Sequence, residues 1–194
     1  MPAHLRFRPQ PDNRLAFLQS FFQRPREVGS IIPSSRFLER RIVRCAGADR
    51  ARTIVELGPG TGGTTRALLR AMHPQATLLA IEINRRFVHL LQGEPDPRLI
   101  AHQGSASDIR QILTRHGLPR PDVVLSGIPF STMPHDAGRA ILRAVHAVLA
   151  AGGLFVAYQV RDRVELLARD VFGPAETQVE ILNVPPMRIF RWRR

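Results

Sequence analysis

The chain has 194 residues, 44% of them hydrophobic and 23% charged, with a single cysteine and a formal net charge of +12. That length suits one α/β domain with a core of its own, and the composition excludes global disorder. The lone Cys45 excludes a disulfide framework and a cysteine-based zinc site, and no apolar run reaches the roughly 18 residues that a bilayer-crossing helix needs.

In chain order, residues 1–14 carry Pro2, Pro9 and Pro11 and no apolar stretch of the kind that heads a secreted precursor, so a tail on a cytoplasmic protein is expected. Asp12 or Asn13 can cap a first helix that stops near Gln23, before Pro25. A second helix is predicted from Ser34 or Ser35 to Gly47. Then strands and helices alternate. Strands are predicted at 53–57, 77–83, 98–103, 122–126 and 154–160, and helices at 62–72, 84–91, 107–116, 135–149 and 163–172. Two β-rich runs close the chain, 176–182 and 188–192, joined across Pro185 and Pro186. Such alternation predicts a doubly wound, Rossmann-like parallel sheet with helices on both faces. The final hairpin makes a seventh strand antiparallel to the rest. Residues 1–47 read as a helical extension and 48–194 as the α/β domain.

The first predicted strand runs into Glu56-Leu57-Gly58-Pro59-Gly60-Thr61-Gly62-Gly63 and a helix. Glycines there let the backbone turn tightly and approach a ligand. Two spacings fit. Gly58, Gly60 and Gly63 form G-x-G-x-x-G, which suits a dinucleotide pyrophosphate on a helix N-terminus. Gly58, Gly60 and Gly62 form G-x-G-x-G, the shorter nucleoside loop of S-adenosylmethionine enzymes. Glu56 favours the second, because a buried carboxylate needs a partner; an amino-acid ammonium suits it and a pyrophosphate would be repelled. Glu82, at the end of the second strand, can accept two ribose hydroxyls. Thr61 in the loop and Ile83 after Glu82 join the cofactor-facing set, and Ser105 with Ala106 can meet an adenine. The structural alternative is that Glu56 and Glu82 only cap nearby backbone.

The fourth strand ends in Ser126-Gly127-Ile128-Pro129-Phe130. A loop at the carboxyl end of a strand beside the switch point should line the reacting centre. Its form is that of the N/D-P-P-Y loop of amino methyltransferases. Ser126 would orient an amine and also touch cofactor, the carbonyls of Gly127 and Ile128 would accept N–H groups, and Phe130 would pack over it. Tyr158, ending the fifth strand, reads either as core or as the partner of this loop. His135 reads either as the start of a helix or as a proton acceptor. No metal site is expected.

Together with Val28-Gly29-Ser30-Ile31-Ile32-Pro33-Ser34-Ser35-Arg36-Phe37-Leu38 and the terminal Asn183-x-Pro185-Pro186-x-Arg188-Ile189-Phe190-Arg191, these motifs resemble small bacterial phospholipid N-methyltransferases. The resemblance implies a class I methyltransferase fold, S-adenosylmethionine as cofactor with S-adenosylhomocysteine as product, and phosphatidylethanolamine as methyl acceptor. It also implies a role for the N-terminal helix in lipid access; that helix is expected to cover the site as well, and Arg188 to contact substrate. The relatives acting on ornithine lipids look similar. This chain departs from the pattern at Val160 and Arg161, where many relatives carry another aromatic. Ribosomal RNA adenine dimethylases share the N-L/I-P-Y type of loop, but Ser126 stands where their Asn holds an adenine, and Ser105 where their Asp stands.

All 28 basic residues are arginine, as codon bias alone can produce, and their placement is uneven. Residues 1–52 carry a net +7 and residues 188–194 a net +4, leaving +1 for the rest. Polarised charge of this kind suits a polyanionic surface. Leu15, Leu18 and Phe22 fall on one stripe of the first predicted helix, with Phe17 and Phe21 beside it and Arg14, Arg24 and Arg26 around it. Such a helix can lie in a membrane interface or pack on the core. The expectation is a monomer, peripheral on the inner face of the cytoplasmic membrane, with an anionic lipid surface as partner and no nucleic acid.

Overall fold

The computed structural model describes residues 34–194. The helix expected over residues 12–23 lies outside them. Six helices are described: α1 (Arg36–Ala46), α2 (Gly63–Ala71), α3 (Arg85–Gln92), α4 (Ile109–Arg115), α5 (His135–Val148) and α6 (Arg163–Phe172). Seven strands form one sheet: β1 (Thr53–Leu57), β2 (Thr77–Glu82), β3 (Leu99–Gln103), β4 (Val123–Ser126), β5 (Leu154–Gln159), β6 (Glu176–Glu180) and β7 (Met187–Arg193). Their order is β3-β2-β1-β4-β5-β7-β6. β1 to β5 are parallel, and β7 lies antiparallel to both β5 and β6. Seven strands with an antiparallel β7 is the arrangement expected from the sequence.

Strand alternation divides the core between the two faces. Val55 and Leu57 of β1 pack with Ile109 and Leu113 of α4, Leu142 and Val145 of α5, and Leu167 of α6. Ile54, which precedes them in β1, faces the other way and packs with Leu38 and Ile42 of α1 and Leu68 of α2. Where β5 and β7 pair, Phe155 stacks on Trp192 and on Phe172 with ring centroids 5.1 and 5.3 Å apart. Trp192 donates its indole N–H to the Gly173 carbonyl at 3.2 Å.

α1 is built into the same body as the sheet. Ser35 caps its start, the side-chain oxygen accepting the Leu38 N–H at 3.2 Å, and such caps contribute about 1 kcal/mol. Gly47 ends it in the left-handed conformation that a side chain resists. Elsewhere the structure trims the predicted elements. The stretch 107–116 opens as a 3-10 turn over Ala106–Asp108, because Ser105 Oγ accepts the Ser107 N–H and tightens the chain. β6 stops at Glu180, whose carboxylate accepts the Leu182 N–H at 2.9 Å and turns the chain. Among the described residues no helix is long and apolar enough to cross a membrane.

Candidate active site at the carboxyl ends of the strands

β1 has β2 on one side and β4 on the other, so its carboxyl end is where the chain's winding reverses and a crevice opens. The loop after β1 is held by its own backbone. Gly58 N–H donates to the Ile81 carbonyl at 2.9 Å, and Gly62 N–H to the Pro59 carbonyl at 3.1 Å. Gly58, Gly60 and Gly62 all have positive φ, at 68°, 58° and 82°, whereas Gly63 is already helical. The G-x-G-x-G spacing is therefore the one this loop's geometry uses, and the dinucleotide spacing is not. A side chain on Gly58 would place its Cβ 3.0 Å from Ile128 Cγ1, so the β1 and β4 loops touch there. Thr61 is exposed beside this turn, and its carbonyl accepts Arg66 Nη2 at 3.2 Å.

Two carboxylates lie beneath the loop. Glu56 is fully buried; Oε2 accepts the Thr65 hydroxyl at 2.6 Å, while Oε1 has no hydrogen-bond partner among the described residues. Burial pushes its pKa up to about 7, against the pull of the Thr65 hydroxyl. A buried carboxylate oxygen without a donor is costly, and an arriving cationic N–H group would satisfy it. Glu82 is 1% exposed and is raised by burial too, offset by backbone N–H groups. Its Oε2 accepts Gly60 N–H at 3.1 Å and its Oε1 accepts Asn84 N–H at 2.8 Å. The Ile83 N–H also acts on this carboxylate, whose two oxygens together have acceptor capacity beyond these donors for a hydroxyl. Ile83 follows, half-buried, and Ser105 and Ala106 are buried at the end of β3, with Ser105 Oγ 2.8 Å from Ser107 Oγ. These positions form one line along the ends of β1, β2 and β3.

The β4 loop differs from its sequence reading in three respects. The first concerns Ser126 and Tyr158, expected to face one another. Ser126 is in register with Ala157, so Tyr158 points to the opposite face of the sheet. The Ser126 hydroxyl is buried and accepts the Ile128 N–H at 3.3 Å, which makes it a brace for the loop. Tyr158 instead packs with the α1 and α2 side, its OH 3.4 Å from Thr64 Oγ1. The second concerns Ile128, whose carbonyl accepts Phe130 N–H and the side-chain amide of Gln159. Both lone pairs are occupied, so it is no acceptor for an amine. The third is Phe130: the ring is fully buried in the core with Met133, against the α5 glycine Gly138, and offers no face to a headgroup.

What the loop does present is Gly127. Its N–H donates to the Leu57 carbonyl at 2.9 Å, and its carbonyl accepts no hydrogen bond from the described residues. A Cβ on Gly127 would lie 2.5 Å from the Tyr158 hydroxyl, so the phenol stands directly beside this backbone. Burial first, and the nearby Glu56 carboxylate next, push the Tyr158 pKa up, keeping the phenol protonated and able to donate. His135 opens α5 with its side chain half exposed, 3.6 Å from Asp136. Arg188 is exposed and pairs in register with Gln159, at the same end of the sheet as the loops.

Four residues that sequence reading passed over belong to this region. Thr64 and Thr65 lie in the first turn of α2 and engage Tyr158 and Glu56. Gln159 ties the β4 loop to β5. Glu39 reaches from α1 to the start of α2: a Cβ on Gly63 would lie 3.1 Å from its Oε1, and Arg70 is 3.7 Å from its Oε2. Burial raises its pKa more than Arg70 and Arg66 lower it. The threonine pair beside the glycine loop was the signal that sequence offered; Glu39 carried none, since its place depends on how α1 docks. Among the described residues no cluster of His, Cys, Asp and Glu could hold a metal ion.

A family profile described as "Methyltransferase domain" matches residues 54–153. The chain is similar to the ornithine lipid N-methyltransferase of Singulisphaera acidiphila, 35% identical over 141 residues, covering 72% of this chain and 73% of that protein. It is also similar to the ribosomal RNA small subunit methyltransferase A of Maricaulis maris, 35% identical over 97 residues, covering 48% of this chain and only 32% of that protein. Among solved structures, the N-methyltransferase NodS from Bradyrhizobium japonicum, in complex with S-adenosylhomocysteine, superposes with a TM-score of 0.71 at 12% identity, over 91% of this chain and 97% of that one.

Proposed function

Because the chain belongs to the methyltransferase-domain family and uses S-adenosylmethionine, we propose that it is a lipid N-methyltransferase that methylates the amine of an ornithine-lipid headgroup. The observation that carries this reading is the similarity to an ornithine lipid N-methyltransferase over nearly three-quarters of both chains. Sequence motifs alone put phosphatidylethanolamine first; the relative reverses that order. The RNA relatives support a shared catalytic domain only, since the chain spans about a third of the Maricaulis protein.

On this reading Glu56 Oε1, the unsatisfied buried acceptor, takes the ammonium of the cofactor's amino-acid portion. Glu82 takes the ribose hydroxyls, the turn at Gly58, Gly60 and Gly62 with Thr61 lets the backbone come close, and Ile83, Ser105 and Ala106 border the adenine. The bound cofactor supplies a methyl made electrophilic by its sulfonium. The chain's task is then alignment, which can be worth roughly 7–11 kcal/mol. The Gly127 carbonyl orients one N–H of the neutral amine, and Tyr158 stands next to it as donor and later as an aromatic face for a methylated cation. The amine nitrogen loses a proton as it gains carbon, and His135, half exposed at the head of α5, is the chain's candidate to receive it. Arg188 meets the headgroup's polar edge. The protein works as a monomer at the inner, anionic face of the cytoplasmic membrane, supported by the charge gathered at the chain ends.

The test supplies radiolabelled S-adenosylmethionine with vesicles containing ornithine lipid, vesicles containing phosphatidylethanolamine, or ribosomal RNA. Label in ornithine lipid is the expected result; label confined to RNA overturns the reading.

A further inference from the structure

The β6–β7 connection reverses the usual placement of polar and apolar side chains. Glu180 and Asn183 are 3% and 5% exposed, while Ile181, Leu182 and Val184 are 73%, 58% and 80% exposed. Buried polar groups beside bare aliphatic ones are the informative departure from ordinary surfaces. The inward residues hold the turn in place. Glu180 accepts Arg41 Nε at 2.7 Å and the Leu182 N–H at 2.9 Å. Asn183 accepts the Ser35 N–H at 2.9 Å and donates to the Pro185 carbonyl at 2.8 Å. The apolar side chains are thus fixed outward by a hydrogen-bonded underside rather than left out by a loose loop.

Position and charge say what they meet. Glu180 pairs with Met187 and Gln159 with Arg188, so the turn extends beyond the carboxyl end of β5, the end that carries the site. The Ser35–Asn183 bond brings the start of α1 alongside, with Arg36 5.2 Å over the Phe37 ring and Phe37 itself 39% exposed. Arg36 next to the Ser35–Asn183 bond, Arg40 one turn further along α1, and Arg188 directly after the Met187 that pairs with Glu180 are exposed and form no ion pair among the described residues. Aliphatic side chains collared by arginine match the boundary between acyl chains and anionic headgroups.

We propose that the β6–β7 tip, Ile181, Leu182 and Val184, inserts into an anionic bilayer surface while Arg36, Arg40 and Arg188 engage lipid phosphates. It rests on the lipid-substrate reading and adds to it: the membrane contact aims the crevice at the headgroup layer.

The full chain carrying Leu182→Trp is mixed with vesicles of equal parts phosphatidylcholine and phosphatidylglycerol, with and without brominated acyl chains. Trp192, 2% exposed in the core, is the internal control. Vesicles should shift the new indole's emission to the blue, and bromine should quench it while leaving the parent unquenched. Alongside, the double variant Ile181→Asp, Leu182→Asp should raise KM on vesicle-borne ornithine lipid about tenfold and leave turnover of a detergent-dispersed analogue unchanged. An unquenched indole on a vesicle-bound protein, or a parent-like KM, overturns the proposal. So does a blue shift without vesicles: one that grows with protein concentration assigns the tip to a second copy, and one independent of concentration assigns it to residues 1–33. Quenching by vesicles without label in any lipid keeps the docking surface and removes the lipid-substrate reading.

Discussion

Glu56 carries an electrostatic consequence that binding measurements can read. Its folded-state pKa is raised to about 7 by burial, so in the ligand-free protein it holds a proton that the unfolded chain releases near 4.5. Between those values the unfolded state binds fewer protons, and this group makes stability fall as pH rises from about 4.5 to about 7. A cationic ligand at Oε1 works the other way, favouring the carboxylate. Affinity for S-adenosylmethionine should therefore strengthen with pH up to about 7 and level off above it, with proton release on binding. Calorimetry in buffers of different ionisation enthalpy checks this, and Glu56→Gln should weaken binding and flatten the profile. A second residue-scale expectation concerns Gly127. Gly127→Ala forces a methyl to 2.5 Å from the Tyr158 hydroxyl and should destabilise by about 1–3 kcal/mol. Tyr158→Phe removes the oxygen it strikes, so in that background the same change should cost measurably less in urea unfolding.

At the level of elements, the join between α1 and the β6–β7 turn depends on Asn183, buried and bonded to Ser35 N–H and the Pro185 carbonyl. Asn183→Ala leaves a partly buried N–H and carbonyl without their partner and should cost about 1 kcal/mol, read as a lower urea midpoint with unchanged slope. Elements were legible where the periodicity was local. TIVEL matched β1 to the residue, and α6 matched its predicted 163–172, because alternation, caps and glycines lie within the segment itself. The tight glycine turn after β1 and the two buried acids at the ends of β1 and β2 were legible, because a glycine loop with acids at fixed offsets is also a local signal. It was not legible at Ser126, Phe130 and Tyr158. The relative faces of Ser126 and Tyr158 depend on the β4–β5 register, which no pattern within either strand encodes, and Phe130 is drawn into the core by the 3-10 turn it opens after β4. Ile128 was misread for the same reason: Gln159, the residue occupying its carbonyl, is 31 positions away.

For the whole molecule, the charge gathered at the chain ends predicts how vesicle binding responds to salt. Residues 1–52 and 188–194 hold nearly all of the net +12, and exposed charge is screened within about 8 Å at physiological ionic strength. Sedimentation with phosphatidylglycerol vesicles should weaken steadily as salt rises. Deleting residues 1–24 should reduce binding further while leaving S-adenosylmethionine affinity intact, because the residues proposed to hold the cofactor all lie between 56 and 127. Transfer of a labelled methyl group separates a domain that acts on a lipid amine, as proposed, from one that acts on RNA. With radiolabelled S-adenosylmethionine and equal amounts of ornithine-lipid vesicles and ribosomal RNA in one reaction, label is expected in the lipid extract and none above background in the RNA. Label in the RNA with an unlabelled lipid phase would contradict the proposal.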